Sequence, residues 1–177
     1  AGATAAQSDG GDRLRAGGSS PSGTRAMTIT TTPENLDLAQ FLKPGDHVVF
    51  GQACGEPVTL VEALIAQGAR IGGLKAFIAT SFSGLFTPDS AASFRLSSMG
   101  AIGALRAMTK AQALDVIPVH VSQVAPLMAA GVMPCDVAMI QVSPADADGN
   151  HSCGLISDYV RTAVDKARVV IAEVNEQ

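Results

Sequence analysis

Apolar and polar positions along the chain fall into short runs separated by longer helical stripes. His47-Val48-Val49-Phe50, set off by Asp46, reads as a strand, and so do Leu74 to Ala79 and Val116 to Val121. Pro118 gives the last of these an edge or bulge position. Asp136 to Val142 is apolar almost throughout, as a strand buried on both faces of a parallel sheet must be. Val169 to Val174 closes the series.

Between these runs the period changes. Thr32-Pro33-Glu34 predicts a helix start, with a capping hydroxyl, Pro at the first position and an acid in the first turn. This helix is expected to run through Leu36, Ala39 and Leu42 and to stop at Lys43-Pro44-Gly45. Pro57 opens another, whose Leu60, Val61, Leu64 and Ile65 share one face. Further helices are predicted from Ile102 to Ala113, from a capping Ser122 to near Gly131, and from Ser157 to Ala167. Ser81 to Ser90 reads as a loop holding Phe82 and Phe86.

Strands alternating with helices of this length imply βαβ units: an α/β domain with an open, mostly parallel sheet and helices on both faces. It is expected to occupy residues 27–177. Residues 1–26 carry Leu14 as their one large aliphatic side chain and are Gly-rich, so they are expected to form a disordered tail. The chain stops three residues after its last predicted strand. Ligand crevices in open α/β sheets lie at the carboxyl ends of strands, so the expectation is of an unfinished molecule.

Composition sharpens this reading. Charged residues are 16% against 47% hydrophobic, where about 25% charged is usual for a soluble domain. A second body covering part of the surface would account for the deficit. Twelve basic and 16 acidic residues, no Trp and one Tyr argue against a nucleic-acid partner. No apolar stretch approaches the roughly 18 residues of a membrane span. Cys54, Cys135 and Cys153 form no zinc-type spacing. Their odd number suggests reduced thiols and a cytoplasmic protein.

Candidate chemistry concentrates after the strands. Gly51-Gln52-Ala53-Cys54-Gly55-Glu56-Pro57 joins a strand to a helix, and its N–H groups with the helix N-terminus could hold an anion or a carbonyl oxygen. It is neither the dinucleotide fingerprint nor the Walker loop. A tight turn without a ligand explains it as well. Ser81 and Ser83 follow the next strand on the same rim, able to bind a carboxylate or to satisfy their own loop. Asp146, Asp148 and His151 sit near an Asp-Gly turn whose spacing fits no calcium loop. Glu173 reads either as an acid near a strand end or as an ion-paired strand residue.

Four phrases in order carry a resemblance: Gly51-x-x-x-Gly55-Glu56-Pro57 with Leu60 and Ala63-Leu64; Ile117-Pro118-Val119-His120-Val121-Ser122; Cys135-Asp136-Val137-Ala138-x-Ile140-Gln141-Val142-Ser143-Pro144 with Asp146, Gly149 and Gly154; and Ala167 with Val170-Ile171-Ala172-Glu173-Val174-Asn175. From about Leu38 to Gln177 the chain resembles the N-terminal half of the acetyl-CoA hydrolase/transferase family, a branch of the class I coenzyme A transferases. The resemblance implies an α/β domain that pairs with a second, similarly folded domain, the active site lying between them. It implies exchange of coenzyme A between an acyl-CoA and a small carboxylate through a glutamyl-CoA thioester, a covalent route that splits one difficult step into two. The nucleophilic glutamate is expected in the C-terminal half, so no catalytic residue is assigned here. Carried onto this sequence, the substrate-binding candidates are Gly55, Glu56, Pro57, Ser81 and Ser83. His120 and Ser143-Pro144 read as scaffold, and Glu173 receives no catalytic role. No metal or permanently bound cofactor is expected, coenzyme A being a substrate. The expected partners are a C-terminal domain or separate subunit and, in the complete protein, further copies of the chain. An acyl-CoA hydrolase and a non-catalytic coenzyme A-binding module are the alternatives.

Overall fold

Six parallel strands carry the apolar runs: β1 (His47–Phe50), β2 (Lys75–Phe77), β3 (Arg95–Ser98), β4 (Leu114–Val116), β5 (Val137–Val142) and β6 (Val169–Val174). Their order across the sheet is β6-β5-β1-β2-β3-β4. The computed structural model describes residues 29–176 and, ahead of them, the backbone of Ala3–Thr4, Gln7–Ser8 and Arg13–Arg15. Ala3–Thr4 runs antiparallel between β6 and Thr30–Thr31, and Arg13–Arg15 pairs with Asn150–Ser152. The expectation of a disordered tail over Ala1 to Ala26 falls for its greater part outside the described residues.

Helices cover the sheet on both sides. On one face α1 (Val58–Ile71) turns Leu60, Val61 and Leu64 inward, joined by α2 (Arg106–Lys110) through Met108. On the other, α3 (Val121–Ala129) and α4 (Val160–Lys166) bury Val124, Met128, Val160 and Ala163. Each fully buried aliphatic side chain contributes about 1.5–3 kcal/mol. β5 lies at the centre, buried along nearly its whole length, which is why it carries no charge.

Four expectations are corrected. The helix from Thr32 is two separate 3-10 turns, Pro33–Asn35 and Leu38–Gln40. Asp37 accepts from the Ala39 N–H, and the Gln67 side chain takes the Leu38 N–H and the Leu36 carbonyl. Those groups would have served a continuous helix. The Ile102 to Ala113 helix shrinks to α2, whose end at Gln112 turns left-handed. β3 was not anticipated: Leu96 is its one large aliphatic, and Ser97 and Ser98 settle their hydroxyls on the Ala76 and Ala79 carbonyls. Finally β4 ends at Val116, and α3 begins before Ser122, with His120 at the capping position and no side-chain cap.

Candidate functional site

The chain passes from β1 to β4 in one direction across the sheet, then returns to place β5 on the other side of β1. The order reverses between β1 and β5, and crevices form outside the carboxyl ends of strands at such a point. The loop after β1 runs from Gly51 to Pro57. A cleft of about 280 Å³ opens beside it, lined among others by Cys54, Gln141, Ser143, Cys153, Leu155 and Asn175.

Close packing shapes that loop. A Cβ on Gly51 would lie 2.4 Å from the Gly55 carbonyl oxygen, so only glycine fits. Ala53 takes a left-handed conformation (φ 51°) and gives its N–H to the Thr80 carbonyl at 2.8 Å. Such a backbone costs a non-glycine residue about 1–2 kcal/mol. The bond to Thr80 ties the loop after β1 to the loop after β2.

Glu56 completes the tie. Its side chain is 3% exposed, yet its carboxylate is fully engaged. Ser81 Oγ donates to Oε1 and Oε2 at 2.9 and 3.1 Å, and Ser83 Oγ donates to Oε1 at 2.7 Å. The N–H groups of Phe82 and Ser83 reach Oε2 at 2.9 and 3.2 Å. The structure thus joins Glu56, Ser81 and Ser83, predicted separately, into one constellation. Gly55 and Pro57 flank the glutamate, Pro57 at the N-cap of α1. With its oxygens so occupied, Glu56 holds loops in place and presents no free acid.

Three neighbouring residues were not singled out from the sequence. Gln52 Nε2 donates to the Asp158 carboxylate in a short contact. Tyr159 is 1% exposed; its hydroxyl donates to the Phe50 carbonyl at 2.8 Å and accepts from the Ala79 N–H at 3.3 Å. Burial pushes this phenol well up from its ordinary range, with the charges of Asp158 and Glu56 adding to the effect. Tyr159 therefore bridges the carboxyl ends of β1 and β2 as a permanent neutral donor. That Tyr159 is the one Tyr of the chain was the available signal, and it names no partner.

The helix N-terminus is already taken. Glu173 Oε2 accepts the Thr59 N–H at 2.8 Å and the Leu60 N–H at 3.4 Å. An anion there would displace a built-in carboxylate. Asp146 closes its own turn, accepting from the N–H groups of Asp148 and Asn150. His151 is buried, with Nδ1 2.8 Å from the Ser143 carbonyl. His120 is exposed at the start of α3. No three metal-ligating side chains gather among the described residues.

The architecture is that of an α/β domain with a carboxyl-end crevice. The family described as Acetyl-CoA hydrolase/transferase N-terminal domain matches residues 31–177, and the chain belongs to that family. It is 35% identical over 132 residues to a 4-hydroxybutyrate coenzyme A transferase of Clostridium kluyveri, covering 73% of this chain and 31% of that protein. It is 29% identical to a succinyl-CoA:cyclohexane-1-carboxylate CoA transferase of Geobacter metallireducens, covering 80% of this chain and 32% of the relative. The chain thus spans about a third of the length of these curated relatives. Among solved structures, RipA from Yersinia pestis superposes with a TM-score of 0.72 at 26% identity, over 82% of this chain and 36% of RipA. A 4-hydroxybutyrate CoA-transferase from Porphyromonas gingivalis superposes at 0.58 with 30% identity, over 79% and 32% of the two chains.

Proposed function

We propose that this domain supplies one wall of the active site of an acyl-CoA:carboxylate CoA-transferase. One observation carries the reading. Of the seven exposed large hydrophobic side chains among the described residues, Val58, Phe82, Ile102, Val116, Val121 and Leu155 all belong to segments at the carboxyl ends of the strands. Only Val132 lies elsewhere. An apolar rim around a crevice suits a surface that a second domain covers.

In this reading Glu56, Ser81 and Ser83 hold the rim in shape, and Gly55 and Ser83 present it to the thioester substrate. The nucleophilic glutamate resides on the second domain. Its carboxylate takes the acyl group from acyl-CoA, and the released thiolate then attacks the glutamyl carbonyl. The acyl group departs as its carboxylate, leaving a glutamyl-CoA thioester. An incoming carboxylate resolves that thioester by the reverse steps. The names of the relatives favour a carboxylate over water as the acceptor. A cytoplasmic setting belongs to the same proposal, in keeping with the odd number of cysteines.

The test compares the 177-residue chain alone with the chain joined to a second, family-type domain. Transfer of coenzyme A to acetate is expected from the joined protein only, with a borohydride-sensitive glutamyl thioester trapped on the second domain. Equal turnover with and without a carboxylate acceptor would make it a hydrolase. Transfer by the 177-residue chain alone would overturn the division of labour.

A further inference from the structure

At the opposite end of the sheet, His47, Lys75 and Arg95 are the first residues of β1, β2 and β3 and pair directly with one another in register. Directly paired residues of adjacent strands share a face, so three basic side chains stand in one row. Like charges placed opposite each other destabilise a sheet. Two members of the row are paired. His47 Nδ1 lies 3.0 Å from Asp136 Oδ2, and Arg95 forms a two-nitrogen pair with Asp115. The ammonium of Lys75, in the middle, has no acid partner among the described residues.

This row borders a cavity of about 320 Å³, within the size range of small-molecule sites. Its other walls include Phe77, Ile117, Met133 and Val132. Val132 is 68% exposed and, among the described residues, is the one exposed large hydrophobic that lies away from the crevice rim. An unpaired cation and an uncovered apolar wall therefore face the same space.

We propose that this cavity binds a small organic monoanion, a carboxylate with a short apolar body, whose carboxylate pairs with Lys75 and whose body lies against Val132 and Ile117. The two acids beside the row decide the charge. Asp115 neutralises Arg95, and Asp115 and Asp136 at the two ends of the row repel a dianion such as phosphate, so that the Lys75 ammonium is the cation left to pair. The charged row lies at the amino ends of β1, β2 and β3, and the cavity shares no lining residue with the crevice beside the loop after β1, so a ligand here acts as an effector of the domain.

Benzoate and inorganic phosphate are to be titrated separately into the isotope-labelled 177-residue chain, with amide shifts followed by NMR. Saturable benzoate shifts are expected at Lys75, Ser97 and Val132, with phosphate weaker. Lys75→Met should weaken benzoate about tenfold or more, the loss of one charge-assisted contact. Val132→Asp, a change at an exposed position, should weaken it as well. The dispersed spectrum of each variant reports its folding, so a variant that unfolds leaves the other to decide. The proposal is overturned by shifts confined to the crevice amides of Cys54 and Asn175, by no saturable shift, by unchanged affinity in folded Lys75→Met, or by tighter binding of phosphate.

Discussion

Glu173 Oε2 accepts the backbone N–H of Thr59 at 2.8 Å across 114 residues of sequence. A side chain on β6 thereby caps the helix that follows β1, a task usually left to a neighbour within the helix's own first turn. The bond joins the two sides of the sheet's switch point. Glu173→Ala should cost about 1–2 kcal/mol, the value of a lost cap with its dipole contribution. Urea denaturation measures it. In the proposed transferase, with the second domain joined, this substitution should leave turnover unchanged at temperatures where the protein stays folded, because Glu173 is occupied by the helix.

Glu56 offers a larger effect. Removing its carboxylate leaves the buried Ser81 hydroxyl and two loop N–H groups without their acceptor. Glu56→Ala should destabilise by about 3 kcal/mol, the cost of leaving a buried polar cluster unmatched. Ser83→Ala, at a position where water replaces the lost partner, should cost about 1 kcal/mol. A double-mutant cycle between Glu56 and Ser81 should return clear coupling, and additive effects would mean that the loops are held by other contacts.

Gly68 sits within α1, where alanine is favoured over glycine by about 1 kcal/mol on intrinsic propensity. Packing reverses the sign. A Cβ there would lie 2.7 Å from the Ser93 carbonyl oxygen, and Ser93 is itself held by its hydroxyl bond to the Ile65 carbonyl at 2.6 Å. Overpacking costs about 1–3 kcal/mol, so Gly68→Ala should lower the denaturation midpoint. A raised midpoint would show that the Ser93 loop moves aside freely.

Burial, with the charge of Asp136 adding to it, pushes the Cys135 thiol up to about 12. The unfolded chain releases this proton near pH 8.5, an ordinary thiol value given to about one unit. The folded chain retains it. Its contribution to stability is therefore complete below the ordinary value and is lost as pH rises toward about 12. Iodoacetamide at pH 8 should label the exposed Cys54 and spare Cys135. Cys135→Ala should soften the alkaline decline, the raised Tyr159 phenol supplying the remainder.

Much of the fold was legible because its signals are local and redundant. β1, β5, β6 and α1 carry runs or stripes of large aliphatics, and each appeared close to its expected place. β3 escaped because serine hydroxyls, satisfied by neighbouring carbonyls, stand where branched apolar side chains are usual. The N-terminal helix failed for a related reason. Gln67, about thirty residues downstream, supplies the hydrogen bonds that divide it into two turns. Neither effect has a signature in the affected segment.

The candidate site divides along the same line. By itself the sequence determined that the domain is α/β, that the loops after β1 and β2 lie on one rim, and, through four ordered phrases, which family it resembles. Apolar periodicity and loop chemistry suffice for that, since both are written within a few residues. Only the tertiary structure decided what the acids do. Glu56 and Glu173 are each a single acidic letter in a strand or turn. The partners that make one a loop clasp and the other a helix cap lie 25 and 114 residues away. The same holds for Lys75, whose place between His47 and Arg95 exists only after three strands align in register. Hydrogen bonds and charges act over a few ångströms of space, and pairing across the sheet decides which residues come that close.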